Sequence, residues 1–242
     1  MIRYCIVIPT RDRNELVIRN WHPVASVHDV FLVIPSGQIP PDGMHWNIIL
    51  EDTSQQPRGV AQGGPALPRK IGVEYAIAAG YDVIFTADDD ARIHSPELIP
   101  AMAAMIYADD CIMGAKQPFD FGAKDTIPEF ITQGGNLTAF WGFRADLIER
   151  SGNFDPNFVM NDDHEFIWRA RHYVPVRSWT KFKATHKHGQ PGGLSDTYYV
   201  DRATKSAEIW NAKYPGLVKV IGDHGGKQRL RFDKKYEFRT SP

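Results

Sequence analysis

The run Tyr81-Asp82-Val83-Ile84-Phe85-Thr86-Ala87 ends in three consecutive aspartates, Asp88-Asp89-Asp90. Val, Ile, Phe and Thr in a short run predict a buried strand. A buried strand that ends in three like charges delivers them to one place at the edge of a sheet. Packing alone disfavours this, because crowded carboxylates repel. A hard divalent cation such as Mg²⁺ or Mn²⁺ relieves the repulsion, since such ions take carboxylate oxygens. In an open α/β sheet, ligands bind beyond the carboxyl ends of the strands. The blander reading is an acidic turn before a helix, because Ser95-Pro96-Glu97 has the form of an N-cap with Pro at N1.

The segments around the triplet predict an α/β chain. Arg3 to Ile8 is strand-like and is stopped by Pro9-Thr10-Arg11-Asp12-Arg13, and a short helix follows over Glu15 to Asn20. Val30 to Ile34 and Trp46 to Leu50 predict two more strands, and a Gly- and Pro-rich loop runs from Gln55 to Pro68. A helix over Arg69 to Ala79 is closed by Gly80 and leads into the aspartate strand. The order strand, helix, strand, strand, helix, strand predicts a mostly parallel central sheet flanked by helices, as one domain. The later half is more mixed. Helices are expected over Pro96 to Tyr107, Ala145 to Arg150, Asp162 to Arg171 and Val200 to Tyr214, with strands at Cys111 to Met113, Asn136 to Trp141 and Val174 to Trp179.

Charge is balanced overall, with a formal net charge of −1 across 242 residues, so no global charge argues for nucleic acid or membrane. Locally it is not balanced. Six basic residues and no acidic ones lie between Arg169 and Lys187, and seven basic against three acidic between Gly216 and Pro242. Such runs are either solvated faces or a surface for phosphates. Cys5 and Cys111 lie in apolar runs and read as buried thiols. No signal-like or membrane-length apolar run is present, which predicts a soluble, cytoplasmic protein.

Four pieces, in order, resemble GT-A-fold nucleotide-sugar glycosyltransferases of the family 2 type and the polypeptide N-acetylgalactosaminyltransferases. They are Val7-Ile8-Pro9-Thr10-Arg11-Asp12-Arg13; Glu51-Asp52-Thr53-Ser54; Arg58-Gly59 with Arg69-Lys70-Ile71-Gly72 leading into Asp88-Asp89-Asp90; and Asp162-Asp163-His164-Glu165-Phe166-Ile167-Trp168-Arg169. The resemblance runs from about Ile2 to about His188. It implies a GT-A (Rossmann-like) domain over residues 1–222. Residues 1–95 would form its nucleotide-binding half, residues 96–222 its acceptor-binding half, and residues 223–242 a basic tail.

The implied activity is metal-dependent transfer of a sugar from a nucleotide-diphosphate sugar, a UDP-sugar above all, to a hydroxyl acceptor. The implied cofactor is Mn²⁺ or Mg²⁺. A cation stabilises the charge that grows on a departing diphosphate. Asp88 and Asp90 are the expected metal carboxylates, with His186 or His188 as a further ligand; Asp88 and Asp89 also fall to the donor. Pro9, Thr10, Arg11 and Asp52 are expected to line the nucleotide pocket, and Arg69 to face the diphosphate at a helix start. An inverting transfer needs a general base, and the resemblance places it at Asp163. Asp162, Glu165 and Trp141 are the expected acceptor contacts, with core packing the competing role for Trp141. The sequence departs from the pattern in having Asp at position 162 and Lys at position 70.

The compact chain and basic second half are also similar to virus-encoded transferases that add a sugar to hydroxymethylated pyrimidines in DNA, making DNA a candidate acceptor. Two other readings remain open. A nucleotidyltransferase of similar fold is disfavoured by the absence of glycine from the turn Pro9 to Arg13. A non-catalytic nucleotide- or DNA-binding module is the other.

Overall fold

Apolar runs covered on both faces are the mark of a parallel α/β sheet, and three of the first four strands follow it, the edge strand Asn47–Glu51 being half exposed. A computed structural model describes residues 1–42, 46–51, 64–116, 130–132, 139–158, 162–186, 199–222 and 228–232. Strands β1 (Tyr4–Pro9), β2 (Val30–Pro35), β3 (Asn47–Glu51) and β4 (Val83–Ala87) are joined by helices α1 (Asn14–Ala25) and α2 (Ala66–Ala78) in the expected order. All three pairings among them, β1 with β2, β1 with β4 and β2 with β3, are parallel. The second half holds β5 (Ala91–Ile93), a 3₁₀ turn over Pro96–Leu98, α3 (Ile99–Asp109), β6 (Ile112–Lys116), β7 (Phe130–Thr132) and β8 (Phe140–Arg144). It continues with α4 (Leu147–Ser151), α5 (Asp162–Ala170), β9 (Val176–His186), α6 (Tyr199–Lys213), β10 (Val218–Gly222) and β11 (Gln228–Phe232).

One nine-stranded sheet runs β3-β2-β1-β4-β8-β6-β9-β5, with β7 also on β9. Strand β8 inserts antiparallel beside β4, and β5 and β7 pair antiparallel with β9, so the parallel part of the sheet is its first half plus the β6–β9 pair. This is a helix-flanked α/β fold of one domain.

Strand alternation sorts the core. Ile6, Ile8, Val30, Leu32, Val83 and Phe85 bury on the face covered by α1 and α3. Cys5, Val7, Phe31, Val33 and Ile84 bury on the face covered by α2 and α5. Helix α2 lies very close to the sheet at Gly72, where an added Cβ would overlap Val7 Cγ1 and sit 3.0 Å from Val33 Cγ2. A third cluster, Phe158, Trp168, Trp210, Tyr214 and Leu217, seats α6 against α5.

Several elements outrun their expected bounds. Helix α1 passes through Pro23 because Val17, Trp21 and Val24, at helical spacing, bury against the sheet. Strand β9 extends to His186 because it finds partners along its length: β6, β7 and β5. Ser95 precedes the 3₁₀ turn but makes no side-chain capping bond. Part of the expected basic tail, Gln228–Phe232, is strand β11, paired antiparallel with β10. Among the described residues no helix is long and apolar enough to cross a membrane.

Candidate active site

The same alternation divides the aspartate triplet. Thr86 faces α2, and Asp88, two residues on, meets Arg69 of that helix. Ala87 faces α1, and Asp89 follows it to the turn before α1. There it accepts from Thr10 Oγ1 at 2.9 Å and from Arg13 Nη1 at 2.6 Å. Asn20 Nδ2 donates to the Asp89 carbonyl at 3.3 Å. Arg13 also reaches Asp90 Oδ2 at 3.4 Å. Its return over the triplet depends on Asp12, whose φ of 53° turns the chain through the left-handed region. Burial pushes the Asp89 carboxyl up to about 6, against the pull of Arg13.

Arg69 is the centre of the other side. It is 4% exposed. Nη1 donates to Asp162 Oδ2 at 2.6 Å, Nε to Thr86 Oγ1 at 3.1 Å, and Nη2 to Asp88 Oδ1. Burial alone would lower the guanidinium pKa, but Asp162, Asp88 and Asp163 overcome it and hold the group charged. Burial pushes the Asp162 carboxyl up, and Arg69 opposes the rise. Arg69 is thus enclosed between carboxylates at the start of α2 rather than projecting alone toward a ligand.

Helix α5 opens with Asp162 and Asp163 in its first turn. The Asp162 side chain is 2% exposed and engaged by Arg69. The Asp163 side chain is 15% exposed, and its Oδ1 accepts from the His164 backbone N–H at 2.8 Å. Of the two carboxylates it is the more accessible. Glu165 differs again, being fully buried. Arg169 donates to both of its oxygens, at 2.9 and 3.0 Å, and Lys213 Nζ and the Tyr214 hydroxyl reach Oε1 at 3.0 and 2.9 Å. Trp141 is 1% exposed and packs among Phe143, Phe154 and Phe166.

The remaining expected residues are placed as follows. Pro9 ends β1 opposite Val33. Arg11 Nη2 lies 3.8 Å from Glu51 Oε2, and buried Glu51 ends β3. Asp52 and His188 lie outside the described residues. The backbone of His186 pairs with Ala91, the residue after Asp90, so β5 and β9 bring it beside the triplet. An open groove of about 780 Å³ runs along Arg13, Asn14, Arg19, Gln38 and Ile39 at the carboxyl ends of β1 and β2.

The carboxylates Asp88, Asp89, Asp90, Asp162 and Asp163 thus face two guanidiniums, Arg13 and Arg69. The excess negative charge suits a cation. Among the described residues no three ligating side chains converge on one point. Mg²⁺-type sites do not require that, because one or two carboxylates and the phosphates of a substrate suffice. Asp88 and Asp90 each bring a carboxylate to this end of the sheet, the first against Arg69 and the second against Arg13.

Solved structures share this architecture. UDP-GlcNAc-bound S. aureus TarS 1–349 matches with a TM-score of 0.57 at 16% identity, over 86% of this chain and 65% of that one. GalNAc-T7 with UDP, GalNAc and Mn²⁺ matches with a TM-score of 0.62 at 9% identity, over 89% of this chain and 49% of that one. Both are GT-A glycosyltransferases. The chain has a GT-A fold. It spans less than two thirds of either of these structures. No protein-family model matches the sequence, and no curated protein does.

Sequence reasoning did not find Arg13, Asn20, Lys213 or Tyr214. Arg13 had a signal: it closes the turn whose Thr10 faces the same aspartate. Lys213 and Tyr214 had none, because they reach Glu165 from 48 and 49 residues away.

Proposed function

We propose that the protein is a metal-dependent glycosyltransferase that moves a sugar from a UDP-sugar to a hydroxyl acceptor with inversion. The observation that carries this reading is the joining of Asp88, at the end of β4, to the start of α5 by Arg69. Donor-side and acceptor-side carboxylates then meet beyond the carboxyl ends of the parallel strands. The likeness to UDP-bound structures supports the donor class.

Asp88 and Asp90 would hold a divalent cation, whose charge stabilises the departing diphosphate. Thr10 and Arg13 fix Asp89, so the triplet keeps its shape. Asp163 takes the proton of the acceptor hydroxyl. That oxygen bonds to the anomeric carbon as the bond from this carbon to the UDP phosphate oxygen breaks, and the electron pair leaves with UDP. Asp162 is unsuited to the base role, because Arg69 engages it away from solvent. Glu165 and Trp141 serve to hold α5 and the core rather than the acceptor, since neither is accessible.

For the acceptor we favour a hydroxymethylated pyrimidine in DNA. Arg92, Lys181 and Lys183 are exposed along β5 and β9, on a ribbon that starts next to Asp90. Cations so placed suit a phosphate backbone.

A UDP-sugar hydrolysis screen with Mn²⁺ or Mg²⁺, with and without hydroxymethylated DNA, tests the reading. Metal-dependent UDP release that Asp90→Ala abolishes is expected, with stimulation by that DNA that falls as salt rises. Asp163→Asn should lower kcat for transfer by about 10²–10⁴-fold while retaining UDP affinity. Absence of release with every donor would leave a binding module.

A further inference from the structure

We propose that Arg69 is a positioning residue that couples donor binding at Asp88 to the acceptor helix α5 through Asp162. This rests on the reading of Asp88 as a donor-side ligand and of Asp163 as the base. One buried guanidinium uses all three of its nitrogens on fixed partners: Asp88 at the end of β4, Thr86 within β4, and Asp162 at the start of α5. A planar fork of this kind holds its partners in one geometry, which a lysine ammonium does not.

The three partners belong to segments far apart in the chain. Asp162 is 93 residues from Arg69 and Thr86 is 17 residues from it. Asp88 and Asp162 are each held by their own arm of Arg69. Asp162 adjoins Asp163 in the same helical turn, so the position of the base is set through this bridge.

A specific consequence follows from the shared charge. With Asp162 ionised, Arg69 divides its attraction between two carboxylates. Removing that charge leaves the guanidinium to Asp88, where it competes with a cation carried by the donor diphosphate. A substitution on the acceptor helix should therefore weaken donor binding, and should do so only while Arg69 is present.

The test is calorimetric titration of UDP in the presence of Mn²⁺ with the full chain, comparing wild type, Asp162→Asn, Arg69→Gln and the double variant. Asp162→Asn is expected to weaken UDP binding by roughly 10-fold, within the range for residues sharing one network. In the Arg69→Gln background the same substitution should change the Kd by less than about 2-fold. Arg69→Lys supplies a second background if Arg69→Gln fails to give a cooperative melt; it keeps the charge but not the fork, and should also uncouple the pair. An equal effect of Asp162→Asn in all backgrounds, or unchanged UDP affinity with only kcat reduced, overturns the proposal. Wild-type protein that binds no UDP overturns the donor reading itself, a result distinct from UDP binding without coupling.

Discussion

Side chains four apart share one helix face, so Glu165 meets Arg169 while Asp163, two positions earlier, remains accessible at the helix start. Glu165 has no exposed surface, and three partners hold it. Glu165→Gln leaves Arg169 and Lys213 without their shared anion, and breaking a buried pair in this way costs about 3–5 kcal/mol. Urea unfolding should report a loss at the lower end of that range, because the Lys213 side chain is 35% exposed and recovers some hydration. Burial alone would raise the Glu165 pKa, but Arg169 and Lys213 outweigh it and hold it below 4.5. A depressed carboxylate contributes stability that is full above its unfolded value and fades as pH falls through its folded one. Wild type should therefore lose this contribution below about pH 4.5, and Glu165→Gln should show a flatter stability profile there. The helix that presents Asp163 was legible in the sequence, because Asp162 to Arg171 carries a local helical pattern. The hub role of Glu165 was not, because its decisive partners come from α6.

At the scale of elements, the contact between α2 and the sheet hinges on Gly72. Alanine is worth roughly 0.5–1 kcal/mol over glycine within a helix, so propensity alone favours Gly72→Ala. Sterics oppose it: the added methyl would overlap Val7 and press on Val33, both branched side chains within the sheet. Overpacking of this kind costs about 1–3 kcal/mol. The net should be destabilisation, seen as a lower Tm. A neutral or raised Tm would mean that α2 shifts readily off β1. Because Arg69 sits one turn earlier on the same helix, the variant should also weaken UDP binding. Strand β9 shows what patterning could and could not give. The run Val174 to Trp179 predicts its first part, but the expectation stops short of the alternation of exposed Lys181 and Lys183 with buried Phe182 and Ala184 that carries it on to His186. Its pairing with the three-residue β5 has no local signature, so the approach of His186 to the triplet emerges only from the fold.

The whole molecule is held together across β4. Parallel pairing to β1 on one edge and antiparallel pairing to β8 on the other make one sheet of two sequence halves. Phe85 of β4 stacks on Phe140 of β8, which stacks on Phe182 of β9, so the core crosses the same boundary. Unfolding should therefore be a single transition, with far-ultraviolet circular dichroism and tryptophan fluorescence tracing one curve in urea. Two separated curves would mean that residues 1–95 unfold apart from the rest. The parallel first half was legible because its apolar runs alternate with helical ones. The antiparallel insertion of β8 was not, because sequence order carries no record of which open edge a later strand will fill.

That insertion also sets a schedule for synthesis on the ribosome. Strand β4 ends at Ala87, and the strand that covers its free edge begins at Phe140, some fifty residues later. At about 5–20 residues per second the edge waits roughly 3–10 s for its partner. An apolar run left bare for that long invites pairing with another nascent chain. Charged residues beside such a run act as gatekeepers against it, and Asp88-Asp89-Asp90 follow it directly. The three carboxylates that crowd the finished site thus also guard the strand before the site exists.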